Sequence, residues 1–96
     1  MIRVIYRWRI ESGHYEEFLR WWHEGTLRIR STYPGAMGST LCRPTPSSDQ
    51  VVAVARWKSP EDLEGFWQDP GASPFPWAAM ETVEVMEELD HLTVEG

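Results

Sequence analysis

Residues 51–64, VVAVARWKSPEDLE, constrain the fold more than any other stretch. Val51, Ala53, Ala55 and Trp57 alternate with Val52, Val54 and Arg56, so both faces of this segment are largely apolar. A strand apolar on both sides belongs inside a sheet that is covered on both sides. Ser59, Pro60, Glu61 and Asp62 then follow. Serine caps a helix, proline suits its first position, and acids suit its positive end. Leu63, Phe66 and Trp67 supply the apolar side of a short helix. The chain must therefore fold as a sheet with helices packed on it.

The rest of the chain is read outward from there. Ile2, Val4, Tyr6, Trp8 and Ile10 alternate with Arg3, Ile5, Arg7 and Arg9, the period of a strand. Tyr6 and Trp8 share a face, expected on the helix side with Trp22. Ser12 is a plausible N-cap for a first helix, with Glu16 and Glu17 early and Arg28 and Arg30 late. Tyr15, Phe18, Leu19, Trp22, Thr26 and Ile29 form its apolar stripe, and Trp21 falls on a flank. Tyr33-Pro34-Gly35 stops this helix. A short strand is expected over residues 38–43, then a turn in PTPSSDQ. Residues 69–77 read as a proline-stiffened connection, either a rim or lid carrying Phe75 and Trp77 or a loop pinned to the core by those aromatics. A brief helical turn is expected through Trp77 to Met80, and a last strand within residues 82–94.

That order is strand, helix, strand, strand, helix, strand. It predicts an α+β, ferredoxin-like βαββαβ fold, with a four-stranded antiparallel sheet and two helices on one face. Residues 1–96 form a single domain in this reading. The other sheet face still carries Ile5 and Val52 or Val54, so a second copy of the chain is expected to cover it. Arg7 and Arg56 would pair there with Glu84, Glu87 or Glu88.

Charge and composition exclude several functions. The net charge is −6 and the nine basic residues are dispersed, which argues against binding a phosphate backbone. Cys42 is the one cysteine, so neither an internal disulfide nor a thiolate metal cluster is expected. His14, His23 and His91 are too dispersed for a metal site. No apolar run reaches membrane-spanning length, and MIRVIYRWRI is too polar for a signal peptide. The expected location is cytoplasmic, with no membrane partner.

The six tryptophans are the main functional candidates. Indoles suit a cavity for a planar, aromatic ligand, but they also fill cores. Trp22 reads as core, while Trp57 and Trp67 read as core or pocket wall. Trp8 and Trp77 fit either role, and Trp21 can meet a partner chain. Tyr6 and Trp8 can orient a substrate hydroxyl or simply pack with satisfied polar tips. His23 is a candidate general base whose alternative is an exposed helix histidine. Arg7 and Arg56 read as structural.

Three stretches, SGHYEEFLRWW, YPGAMGSTLCR and VAVARWKSPEDLEGFW, make the chain resemble the antibiotic biosynthesis monooxygenase family of dimeric α/β barrels. The resemblance spans roughly residues 2–80. It implies a homodimer with an aromatic-lined cavity in each subunit. It also implies cofactor-independent oxygenation of a phenolic or polycyclic substrate, or else non-catalytic binding of a hydrophobic small molecule or haem. Trp57 matches the strand-end tryptophan of the quinone-forming oxygenases and is a candidate catalytic residue, whereas Ala53 and Leu63 stand where those enzymes carry asparagine and tyrosine. Tyr6 stands at the asparagine position of the haem-degrading branch, Phe66 or Trp67 at its tryptophan, and Pro76 or Trp77 at its histidine. The expected ligand-lining set is Tyr6, Trp8, Trp22, Trp57, Leu63, Trp67 and Trp77, with no metal ligand and haem as the only cofactor in question.

Overall fold

The computed structural model describes residues 1–69 and 74–93. It contains β1 (Ile2–Ile10), α1 (Tyr15–Thr32), β2 (Ala36–Cys42), β3 (Gln50–Trp57), α2 (Pro60–Trp67) and β4 (Ala78–Glu87). The strands form one sheet in the order β2-β3-β1-β4, with antiparallel neighbours throughout. This is the ferredoxin-like arrangement, and it makes β3 an interior strand as its two apolar faces require.

The alternation in β1 and β3 decides which face is buried. Val4 lies opposite Ala55, Tyr6 opposite Ala53 and Trp8 opposite Val51, and this face meets the helices. Directly opposed residues share a face and pack side by side. Two clusters result: Trp8, Ile10, Phe18, Val51, Ala53 and Phe75 form one; Ile2, Val4, Ala55, Trp57 and Leu63 form the other. Tyr6 packs against both and marks their junction. The opposite face presents Arg3, Ile5, Val52, Val54 and Arg56, all half-buried, with no helix over it.

The helix ends follow local chemistry. Ser59 Oγ accepts the Asp62 backbone N–H at 3.2 Å, and Pro60 opens α2, as expected. For α1 the expected cap is corrected. The N-cap is His14 and its side chain makes no capping hydrogen bond, because Gly13 turns the chain at φ +86° after Ser12 has passed. Gly35, at the exit of α1, is buried where a Cβ would run into the Asp62 side chain, so only glycine lets the chain pass α2 so closely.

Two further expectations are corrected. The second strand begins at Ala36, ahead of residue 38, and its register shifts between Ala36 and Gly38, where Gly38 adopts φ +122°. The last strand starts at Ala78 and ends at Glu87; there is no helical turn through Trp77 to Met80. Ala78 N–H bonds the Phe75 carbonyl, then Ala78 pairs with Ile10 and Met80 with Trp8. The ladder with β1 overrides the local preference for a turn of helix. Val83 has no opposite number, because the register slips between Ile5 and Tyr6. Residues 70–73 of the proline-rich connection and Val94 lie outside the described residues.

Candidate functional site

Both helices pack toward β2 and β3. The helix-side face of β4 is thereby left open. Met80, Thr82 and Val85 lie opposite Trp8, Tyr6 and Val4 on that face. All three are exposed, Met80 to 56% and Val85 to 46%. They form an apolar shelf at the edge of the sheet, next to the seam where the two core clusters meet.

Tyr6 and Trp67 border this shelf. Tyr6 sits mid-strand in β1, with Ala53 opposite it on one side and Thr82 on the other. Trp67 is the last residue of α2 and is 49% exposed. Its indole Nε1–H donates to the Tyr6 hydroxyl at 3.0 Å. This bond joins residues 61 positions apart and fixes the end of α2 to the centre of the sheet. Burial pushes the Tyr6 phenol above its ordinary pKa, and the indole hydrogen bond offsets this in part. The phenol therefore stays protonated at neutral pH. It offers an O–H donor, while the indole N–H occupies its acceptor side. Among the described residues no acceptor is placed for that O–H.

Of the other predicted residues only Trp8 lies beside this place, its ring 5.9 Å from that of Tyr6 and its backbone opposite Met80. Trp57 is 3% exposed and stacks on Phe66 at 5.3 Å, with Tyr33 meeting its edge, so it fills the second core cluster. Leu63, 2% exposed, fills the same cluster. Trp8 is buried against Phe18 and Trp21. Trp22 is half-buried against the first cluster. Trp21 is more than a flank residue: its ring meets Trp8, Phe18 and Phe75. It follows Phe18 by three residues, a spacing that puts it on the same helical side. Trp77 lies stacked on His14 at 4.5 Å and 10°. His14 Nδ1 also stands 3.4 Å from the Glu17 carboxylate, an ion-pair distance without hydrogen-bond geometry. His23 is exposed on α1.

What sequence reasoning missed is the shelf itself. The sequence reading places Met80 in a helical turn, yet Ala78, Met80 and Thr82 alternate with Ala79 and Glu81 as a strand does.

The opposite sheet face is ionic at its margins. Glu88 accepts two 2.8 Å hydrogen bonds from Arg56 and one of 3.3 Å from Arg3. These bonds, Arg56's foremost, hold the Glu88 carboxyl down at about 2. Arg7 pairs with Glu81 at 2.9 Å. Both contacts are made within one chain, where the sequence suggested pairing across two. A recess of about 270 Å³ beside Arg7, Arg9 and Gln50 lies at this face. Another, of about 210 Å³, opens between Tyr15, Arg43 and Asp49 at the end of the sheet. Neither recess includes Tyr6 or Trp67.

The described residues include no group of histidine, cysteine and acidic side chains arranged to hold a metal. No helix among them is long and apolar enough to cross a membrane.

Residues 1–73 match the family model for antibiotic biosynthesis monooxygenase. The chain belongs to this family. Solved structures share its fold at low identity. The haem degrader MhuD from Mycobacterium tuberculosis, with two haems bound in its active site, superposes with a TM-score of 0.76 at 18% identity, covering 97% of this chain and 100% of that one. A mutant of SnoaB, a cofactor-independent oxygenase from Streptomyces nogalater, gives 0.75 at 18% identity over 95% of each chain. A putative antibiotic biosynthesis monooxygenase from Deinococcus radiodurans gives 0.74 at 8% identity over 100% of both. No curated protein sequence matches the chain. As a family member, the chain shares its fold with an oxygenase and a haem degrader.

Proposed function

We propose that the chain acts as a homodimer that holds a planar phenolic or polycyclic aromatic molecule on the β4 shelf and oxygenates it without a cofactor. The observation that carries this reading is the Tyr6–Trp67 pair beside the exposed Met80, Thr82 and Val85. An indole edge, a phenol and an apolar strand face suit stacking and burial of a flat ligand. The uncovered face with Ile5, Val52 and Val54 supports self-association.

The chemistry would rest mainly on the substrate. A phenolic ring stabilises its own anion or radical and passes an electron to oxygen. The ring radical and superoxide join at a ring carbon bearing hydrogen. The hydroperoxide loses water to leave a ring carbonyl, so one oxygen atom enters the substrate and the other leaves as water. The protein contributes orientation. A protonated Tyr6 is no base at neutral pH, and His23 is exposed on α1. The reactive proton therefore leaves to solvent from a substrate acidic enough to release it.

A second reading, binding without turnover, has its own support. Ala53 and Leu63 are 1% and 2% exposed. They stand where the resembling oxygenases carry polar residues, and here they are core packing.

No histidine among the described residues stands at the shelf to ligate a haem iron; Tyr6 and Met80 are the side chains there of a kind that can hold iron. His91 is bound to Arg3 at 3.0 Å on the opposite face, and His23 faces solvent. His14 stacks on Trp77, the residue just before Ala78, which pairs with Ile10. That level is four strand residues from Tyr6, roughly 13 Å along the sheet.

Oxygen-electrode measurements with a phenolic anthracene derivative, run beside equilibrium dialysis, test the proposal. Oxygen consumed in step with substrate loss is the expected result. Binding without uptake transfers support to the non-catalytic reading, and absence of binding refutes both.

A further inference from the structure

We propose that Tyr6 determines which ligands the shelf accepts: its hydroxyl, held by the Trp67 indole, donates to an acceptor oxygen on a flat aromatic ligand. That oxygen is a ring carbonyl or a phenolate. The inference rests on the shelf reading above and adds to it a residue and a chemical requirement.

A phenol has one donor and can accept as well. The acceptor side of Tyr6 is taken by Trp67 Nε1–H at 3.0 Å. Accepting that bond polarises the O–H and strengthens it as a donor. The ring is fixed by its place between Ala53 and Thr82, by packing against both core clusters, and by Trp8 at 5.9 Å. Its O–H has no acceptor among the described residues. A half-buried, oriented donor left open beside an apolar face loses its water when a ligand covers it. Leaving it unmet then costs free energy. A hydrocarbon would impose that cost, and a ligand with an oxygen at the right edge would remove it.

Fluorene and 9-fluorenone test this directly, because they share a shape and differ by one carbonyl. Dissociation constants are measured by equilibrium dialysis on the whole protein, for wild type, Tyr6→Phe and Trp67→Phe. Wild type is expected to prefer fluorenone by about 3- to 10-fold, the range of one hydrogen bond. Tyr6→Phe should erase that preference, chiefly by tightening fluorene, which no longer covers an unmet hydroxyl. Trp67→Phe retains the hydroxyl but not its anchor, and should reduce the preference. A purely structural Tyr6 would change both ligands together. A preference that survives Tyr6→Phe, or equal weakening of both ligands, overturns the inference and leaves the shelf standing. If Tyr6→Phe does not fold, as judged by circular dichroism, Trp67→Phe decides, and an unchanged preference there overturns it. Wild type that binds neither ligand refutes the shelf itself.

Discussion

Glu88 shows how much one side chain can organise. Its carboxylate is 8% exposed and sits between Arg56 and Arg3, which lie opposite each other on β3 and β1. It follows β4 directly, and its backbone N–H bonds the Met1 carbonyl, so it ties the last strand to the start of the first. Its pKa of about 2 lies below the ordinary 4.5. A depressed carboxylate stabilises the folded state fully above its unfolded pKa and loses that contribution as pH falls toward the folded one. Thermal melts of Glu88→Gln should therefore lie a few degrees below wild type at pH 7. The two curves should converge between about pH 4.5 and pH 2. A gap that stays constant across that range would refute the role of the ion pair. The sequence pointed to an Arg56–glutamate pair but not to its location. Arginines on a sheet's open face and a run of acids nearby fit pairing within one chain as well as across two. The choice was made by where β4 ends.

At the level of elements, legibility followed periodicity. β1, β3 and α2 each carry an unbroken pattern and formed where the pattern put them, and α1 formed on its apolar stripe with its cap at His14 and not at Ser12. The start of α2 is the most explicit, with Ser59 Oγ accepting from Asp62 N–H and also donating to its carboxylate at 2.8 Å. Ser59→Ala should lower stability by about 1 kcal/mol in denaturant unfolding. A change below about 0.3 kcal/mol would mean that Pro60 and the packing of Leu63 set this helix without the cap. β4 was less legible for two physical reasons. Its alternation breaks at Val83, where the register with β1 slips, and it follows a proline-rich stretch that reads as loop. α1 raised a subtler problem. Adjacent Trp21 and Trp22 compete for one buried stripe, and a wheel drawn on six positions favoured Trp22. The neighbours that hold Trp21, Trp8 from β1 and Phe75 from beyond α2, are tertiary and leave no local trace.

On the scale of the molecule, the fold separates two uses for tryptophan. Trp8 and Trp57 are buried and hold the two core clusters, and Trp67 alone reaches Tyr6 across the open edge. The family and the fold were legible from pattern, because strand and helix order depends on periodicity and caps. The proposed site was legible only in part. Tyr6 and Trp67 stood among the candidates, but so did Trp57 and Leu63, which the sheet closes into the core. Which aromatic residues stay open depends on both helices packing toward β2 and β3, a tertiary outcome. The central claim is that ligand meets the protein at Tyr6, Trp67 and β4. The six indole N–H signals of ¹⁵N-tryptophan-labelled protein, titrated with 9-fluorenone, test it most directly. The account predicts that the Trp67 signal moves most and that of Trp57 stays in place. A Trp67 signal that stays fixed while another indole responds would contradict it.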